Sequence, residues 1–180
     1  MWWPRLAIAL ALCAGAAGLA GCGFQPLYGG TTANGAKLAE VMSAVEINPI
    51  PGRVGQRVRN ELIFENTGGG YAAPQRYRLD IAVKESVTDQ LVQITGDATG
   101  QVYELNATYK LIDVSNGTVL LIGTAVSRAP YNRFQEIFAN VRARYDAENR
   151  AARTVAESIR TRIAAYLATT AEALPCHCPA

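Results

Sequence analysis

The fold is decided by the stretch at residues 103–127, which reads YELNATYKLIDVSNGTVLLIGTAVS. Apolar and polar residues alternate through its first half, as expected for a strand that buries one face of a sheet. Asn116 and Gly117 then separate this strand from a second apolar segment, and Asn-Gly favours a two-residue type I′ turn. The stretch therefore predicts a β-hairpin with strands at 103–115 and 118–127.

Further elements lie on both sides of this hairpin. Residues 77–84 show the same alternation and predict a strand, and residues 44–50 predict another that ends at prolines. Apolar residues at steps of four predict an amphipathic helix at 53–65, and an apolar stripe predicts a longer helix at 147–168. Residues 134–145 form either a separate helix or the start of the long one. The order β-α-β-β-β-α predicts an α+β two-layer sandwich, with a four-stranded sheet packed against two amphipathic helices.

Composition limits the class of protein. The chain has 180 residues, 17 basic against 15 acidic side chains, and 49% apolar residues. This length supports one domain with a real core. A formal net charge of +2 is too small for a typical nucleic-acid-binding protein, which concentrates positive charge on one face. We therefore expect a globular domain and no nucleic-acid partner.

The N-terminus has the features of an export signal. Arg5 precedes an apolar run at residues 6–20, which is shorter and richer in Ala and Gly than a membrane-spanning helix. The run ends in Leu19-Ala20-Gly21-Cys22, which resembles the lipobox of bacterial lipoproteins. This resemblance implies cleavage before Cys22 and lipidation of that cysteine. The alternative is an ordinary signal peptide followed by a structural cysteine.

Lipidation would determine where the protein resides. Each buried methylene contributes about 0.8 kcal/mol, and two or more acyl chains anchor a protein stably. Three fatty acyl chains on Cys22, such as palmitate, would therefore hold the domain on a membrane surface. Lipoproteins retained in the inner membrane often carry Asp after the lipidated cysteine. Gly23 at that position favours the outer membrane.

These features divide the chain into four segments. We predict a signal peptide at 1–21, a lipidated N-terminus and tether at 22–43, the α+β domain at 44–170 and a flexible tail at 171–180. Gly, Thr and Asn favour a tether after the cysteine. Phe24, Leu27 and Tyr28 do not fit a simple tether, and we expect them to dock on the domain, a partner or the bilayer surface.

Four features together resemble the lipopolysaccharide-assembly lipoprotein family LptE, in its alphaproteobacterial form. They are the segment Cys22-Gly23-Phe24-Gln25-Pro26-Leu27-Tyr28-Gly29 after the lipobox, the element order over 45–168, the stretch Ser127-Arg128-Ala129-Pro130-Tyr131-Asn132, and the final Ala/Arg-rich helix. The resemblance covers nearly the whole chain after the signal peptide. Cys176-His177-Cys178 departs from the family's pattern.

The resemblance implies a function without catalysis. LptE proteins plug the lumen of the large outer-membrane β-barrel LptD, assist its assembly and help to deliver lipopolysaccharide to the outer leaflet. We therefore expect a lipid-anchored protein on the periplasmic side of the outer membrane, with LptD and lipopolysaccharide as partners. The alternatives are a free-standing envelope lipoprotein that binds another ligand or scaffold, and an envelope hydrolase.

Basic residues are the candidate ligand contacts. Eight arginines lie between residues 128 and 162, against four acidic residues. Arginine binds phosphate through bidentate hydrogen bonds, which suits the phosphates of lipopolysaccharide. Arg128 and Arg133, near a strand-to-helix connection, and Arg78 and Lys84, on the polar side of a strand, are the predicted contacts. For arginines of the long helix, the favoured alternative is a solvated face with ion pairs such as Arg153 with Glu157.

Catalytic and metal sites find little support in the sequence. His177 is the single histidine and lies between two cysteines near the C-terminus, so a nucleophile–histidine pair would lack a rigid frame. Cys176, His177 and Cys178 supply at most three zinc ligands without the usual spacing. A disulfide is as plausible in an oxidising compartment, and a tail without function is favoured over both. We expect no enzyme activity, metal or cofactor.

Overall fold

The computed structural model describes residues 37–92 and 98–170. The signal peptide, Cys22 and the Cys176-His177-Cys178 tail lie outside these ranges, so the predictions made for them stay predictions. The described residues form α1 (Leu38–Ser43), β1 (Val45–Ile47), α2 (Arg53–Thr67), β2 (Tyr77–Val92), β3 (Ala98–Asp113), β4 (Val119–Asn132) and α3 (Ile137–Thr170). The predicted α+β class is confirmed, with one helix more than expected.

The four strands form one sheet in the order β1-β2-β3-β4. β1 runs parallel to β2, whereas the other neighbours are antiparallel. The predicted hairpin is confirmed, and its strands extend farther from the turn than predicted. Pro130 lies inside β4, although the sequence analysis ended this strand at Ser127. A proline is tolerated there because β4 is an edge strand, which needs hydrogen bonds on one side only.

The turn of the hairpin differs from the predicted two-residue form. Asp113 donates its N–H to the Thr118 carbonyl (2.9 Å) and accepts a hydrogen bond from the N–H of Gly117 (2.9 Å). This pattern closes a four-residue loop, with Gly117 at a φ of 68°. The Asp113 carboxylate also accepts hydrogen bonds from the N–H (2.9 Å) and the hydroxyl (2.6 Å) of Ser115. These side-chain bonds favour the longer loop over the type I′ turn.

One face of the sheet is covered by helices. On β3, Tyr103, Leu105, Ala107, Tyr109 and Leu111 are all buried, as the alternation predicted. α3 packs on β3 and β4, while α2 packs on α3 and β1. The core therefore lies between the helices and one face of the sheet, and we call that face the covered face.

The long helix is continuous. α3 has 34 residues, so residues 134–145 do not contain a separate helix. At 1.5 Å per residue its length is about 51 Å, enough to follow the sheet from end to end. Its fully buried residues are spaced by three and four and include several small ones, namely Ala147, Ala151, Ala152, Val155, Ala156 and Ile159. Alanines let the helix approach its neighbours closely.

α1 was not expected from the sequence pattern. This helix has six residues, and Leu38 and Met42 are each 3% exposed within the core. A single pair of apolar residues four apart is too short a pattern to distinguish from chance. Residues 38–43 therefore pack on the domain, although they belong to the segment that the sequence analysis assigned to the tether.

Candidate functional site

The face of the sheet opposite the helices carries three of the four predicted basic contacts. We call this surface the open face and define it by Arg78 and Lys84 of β2, Asn106 and Thr108 of β3, and Arg128 of β4. The strand alternation explains the placement, since these residues lie between core residues in the sequence. Arg78, Lys84, Thr108 and Arg128 are exposed, and Asn106 is half-buried.

The structure brings Lys84 and Arg128 together. Lys84 pairs with Asn106, while Glu104 in the next row pairs with Arg128. Arg128 lies two strands across the sheet from Lys84 and two residues farther along it. The Cα atoms of the two residues are therefore about 12 Å apart. Arg78 lies six residues before Lys84, or about 20 Å along the strand. One phosphorylated headgroup can therefore approach Lys84 and Arg128 together, but Arg78 is too distant to join them.

Two of these cations already have acidic neighbours. Arg128 Nε lies 2.7 Å from Glu104 Oε2, and Arg78 Nε lies 3.8 Å from Asp80 Oδ1. The Arg128 side chain is nevertheless 72% exposed. Exposed ion pairs of this kind contribute about 0–1 kcal/mol, so a stronger anion can replace the carboxylate at little cost. Glu104 positions Arg128 without blocking it.

Arg133 lies elsewhere, contrary to its predicted grouping with Arg128. It follows β4 and lines a cavity of about 320 Å³ together with Val87, Val141 and Arg144. Val87 pairs with the core residue Tyr103, so this cavity lies on the helix side of the sheet. Arg128 thus lies on the open face, whereas Arg133 borders a cavity on the helix side of the sheet.

A neighbouring cleft was not predicted from the sequence. It has a volume of about 330 Å³, and we call it the arginine cleft; its lining residues include Arg53, Glu85, Val141, Arg144, Tyr145 and Glu148. The Glu148 side chain is 5% exposed and forms ion pairs with Arg53 and with Arg144, whose Nε lies 2.9 Å from Glu148 Oε1. The Arg53 guanidinium also lies 4.4 Å from the centre of the Tyr145 ring, in cation–π contact.

The charges on the wall of the arginine cleft cancel. Arg53 and Arg144 face the carboxylates of Glu148 and Glu85, and Tyr103 donates a hydrogen bond to Glu85 Oε2 (2.8 Å). Burial raises the pKa of Tyr103 above its usual range, and the hydrogen bond to Glu85 raises this pKa further. Tyr103 therefore stays a neutral donor. The ion pairs join the start of α2 to α3, and Arg133 next to the cleft supplies the net positive charge.

The beginning of α3 adds exposed apolar side chains near these arginines. Ile137 and Phe138 are 77% and 87% exposed, and Val141 and Tyr145 follow at helical spacing on the same side. Large apolar side chains that are exposed together mark an interaction surface more often than isolated ones do. This end of the molecule thus offers apolar and cationic groups side by side, which suits an anionic amphiphile.

Most arginines farther along α3 have structural roles. Arg150 donates a hydrogen bond to the Pro130 carbonyl (2.8 Å), and Arg162 donates one to the Thr124 carbonyl (2.7 Å). Both carbonyls belong to the edge strand β4, so these arginines satisfy backbone acceptors that an edge strand leaves unpaired. Arg153 lies 3.8 Å from Glu61 of α2, instead of forming the predicted pair with Glu157.

Within residues 37–92 and 98–170, no cluster of three or more His, Cys, Asp or Glu side chains could hold a metal ion. No helix in these two ranges combines the length and the apolar character needed to cross a membrane.

Comparison with known proteins identifies the fold. No family model matches the chain, and no curated protein matches it. Among solved structures, a Caulobacter crescentus protein assigned as a lipoprotein matches with a TM-score of 0.59 at 23% identity, over 73% of this chain and 96% of that one. Rare lipoprotein B from Shewanella oneidensis matches with a TM-score of 0.52 at 12% identity, over 67% of this chain and 93% of that one. The chain shares its fold with these two proteins.

Proposed function

We propose that the protein is a noncatalytic outer-membrane lipoprotein that plugs the LptD β-barrel, assists its assembly and helps to deliver lipopolysaccharide to the outer leaflet. The observation that carries the proposal is the presence, in one chain, of the lipobox at Leu19–Cys22 and the fold of rare lipoprotein B. The segment after Cys22, which resembles the LptE family, connects this fold to that partner and ligand.

The open face has the chemistry that a plug requires. Interiors of outer-membrane barrels are polar and partly hydrated, so a plug needs exposed polar groups and not an apolar patch. Asn106, Thr108, Lys84 and Arg128 provide such groups, beside the exposed apolar side chains of Ile122 and Val126 on β4. The open face therefore suits a barrel wall, and its Lys84 and Arg128 are also available to the phosphates of lipopolysaccharide in the lumen, while the covered face keeps the domain folded.

The opposite side of the sheet, at the start of α3, supports a role with lipopolysaccharide. Arg133 and Arg144 line a cavity with Val141, and the exposed Ile137 and Phe138 precede Val141 by one turn of α3. Lipopolysaccharide combines phosphates with acyl chains, so this surface can contact both parts of the molecule. Arginine is suited to the phosphates because its hydrogen bonds to them are charge-assisted and bidentate.

Lipidation at Cys22 would increase the efficiency of assembly. A stably anchored domain searches a membrane surface and not the whole periplasm. Restriction to this surface raises its effective concentration for a membrane partner.

Protease protection in cells with a permeabilised outer membrane tests the proposal. The plug should resist added protease while LptD is present and become sensitive when LptD is depleted. A periplasmic lipoprotein known to be free-standing, digested in parallel, is the control for protease access. Rapid digestion of the protein in cells that contain intact LptD would contradict the proposal.

A further inference from the structure

The two edges of the sheet differ greatly in length. β1, at one edge, has three residues, whereas β4, at the other edge, has 14 residues. An edge strand presents backbone N–H and C=O groups, and a long one is a template for pairing with a strand of another chain. The β4 edge is therefore the part of the sheet where a second chain could add a strand.

Alternate residues of β4 direct their backbone groups away from β3. The Thr124 and Pro130 carbonyls accept hydrogen bonds from side chains of α3, so the even-numbered residues of β4 face outward. Among them, Ile122 and Val126 are 62% and 49% exposed, and both are β-branched residues that favour strands. The outer edge of β4 thus has the composition of a strand that pairs.

Two arginines of α3, which we call the edge arginines, contact this edge. Arg150 Nη2 donates to the Pro130 carbonyl (2.8 Å), and Arg162 Nη1 donates to the Thr124 carbonyl (2.7 Å). The edge arginines are separated by about 18 Å along the axis of α3. The two carbonyls are separated by about 20 Å along β4. Because these spacings match, α3 runs antiparallel to β4 with one arginine at each carbonyl.

The two hydrogen bonds contribute little to the stability of the domain. Both edge arginines are exposed, and water would satisfy an exposed carbonyl in their absence. Their main consequence is therefore geometric, since the guanidinium groups occupy the positions that the N–H groups of an added strand would need. Asp146 supports this placement, because its Oδ2 lies 3.4 Å from Arg150 Nη1.

The two ends of β4 have further features that disfavour pairing. Pro130 has no N–H group, so it removes one donor from the outer edge. Near the turn, the register between β3 and β4 shifts at Leu111 and Ile112, and such irregularities twist an edge away from a flat partner. The stretch from Ile122 to Arg128 lies between these features and is regular, so its protection depends on the edge arginines.

We propose that the edge arginines keep the chain from pairing through β4 with a second copy of itself. A strand pairs with its own copy antiparallel about a twofold axis, because the same surface then serves both partners. In a pairing centred on Val126, Thr124 lies opposite Arg128 of the second copy, and Pro130 lies opposite Ile122 of the second copy. The Thr124 and Pro130 carbonyls would each have to accept an N–H from the second copy, and the edge arginines prevent this.

The mass of the full-length protein in detergent, measured by size-exclusion chromatography with light scattering, tests this inference. Arg150→Ala with Arg162→Ala is the edge variant. Arg142→Ala with Arg153→Ala is the control variant, because it removes the same charge from exposed positions of α3, and Arg153 faces Glu61 of α2. Thermal unfolding verifies that each variant is folded. If the edge variant is not, its two single substitutions are measured in its place.

We expect monomers for the wild type and the control variant, and a protein mass twofold larger for the edge variant. Val126→Lys, added to the edge variant, should restore the monomer, because two lysines would then lie opposite each other across the twofold axis. Thr108→Lys adds the same charge to β3, away from the edge, and should leave the dimer intact.

A folded edge variant that stays monomeric would overturn the inference, and so would a dimeric wild type. An equal increase in mass in the control variant would also overturn it. A dimer that persists with Val126→Lys would show that a different surface pairs, which contradicts the inference as well. None of these results depends on LptD, so the inference can fail while the proposed function holds.

Discussion

The two faces of the four-stranded sheet have opposite roles, although the same strands form both. On the covered face, Tyr103, Leu105 and Tyr109 of β3 pack under the helices and are almost completely buried. On the open face, the intervening Thr108 is exposed and Asn106 is half-buried. Strand alternation thus separates stability from recognition within one element, and substitutions can address either role alone.

The largest expected effect is a loss of stability on the covered face. Leu105→Ala removes a fully buried side chain, and we expect the free energy of unfolding to fall by about 2–5 kcal/mol. Thr108→Ala, three residues away on the open face, should change it by less than about 0.5 kcal/mol. Urea unfolding measures both variants. Equal losses would show that something also buries the open face.

A smaller loss is expected at Gly123, where β4 lies opposite Tyr109. A Cβ atom at this position would overlap the Tyr109 ring on the covered face. Gly123→Ala should therefore lower the free energy of unfolding by about 1–3 kcal/mol through overpacking. The double variant Gly123→Ala with Tyr109→Phe lacks the hydroxyl but keeps the ring, so its free energy of unfolding should stay below that of the wild type. Recovery of the full wild-type value would show that the new methyl group clashes with the hydroxyl alone.

The hairpin turn maintains the two faces, because a one-residue slip in register would exchange them. Hydrogen bonds from the Ser115 hydroxyl and N–H lower the pKa of the Asp113 carboxyl. This interaction therefore stabilises the fold above the carboxyl's ordinary pKa and is lost as the pH falls through the lowered folded value. In Ser115→Ala the pKa of Asp113 should rise towards its ordinary value. NMR titration of the carboxyl measures the change, and an unchanged pKa would contradict the turn geometry.

The smallest effect on stability is expected on the open face, together with a change in binding. Lys84→Gln with Arg128→Gln should change the free energy of unfolding by less than about 0.5 kcal/mol. We expect it to weaken lipopolysaccharide binding about tenfold, through the loss of charge-assisted contacts. Arg76→Gln with Arg153→Gln removes the same charge at two exposed positions outside both proposed surfaces and is the control. Equal weakening by both pairs would indicate general electrostatic attraction and not a site.

The sequence predicted the covered face well because periodicity records burial. Residues that alternate along β3 and residues spaced by three and four along α3 matched the buried sets. The turn was predicted wrongly because the Asn116-Gly117 signal ignores the Asp113 side chain, which stabilises a longer loop. A sequence pattern predicts structure reliably where many residues repeat it. It predicts less reliably where a single side-chain hydrogen bond determines the conformation, as in this turn.

The candidate site was less predictable, because it depends on contacts between distant parts of the chain. Arg144 and Glu148 are four residues apart and can be paired by inspection, but Arg53 joins them only through packing of α2 on α3. The grouping of Arg128 with Arg133 relied on proximity in sequence, and the end of β4 separates them. The pairing of Lys84 with Arg128 required the strand register.

Affinity purification of the full-length protein, tagged after residue 180, from detergent-solubilised outer membranes tests the central claim most directly. The account predicts that a large β-barrel protein is recovered with it in equal amount, and that mass spectrometry identifies this protein as LptD. Recovery of the lipoprotein without a barrel, in detergents that keep other barrel complexes intact, would contradict the account.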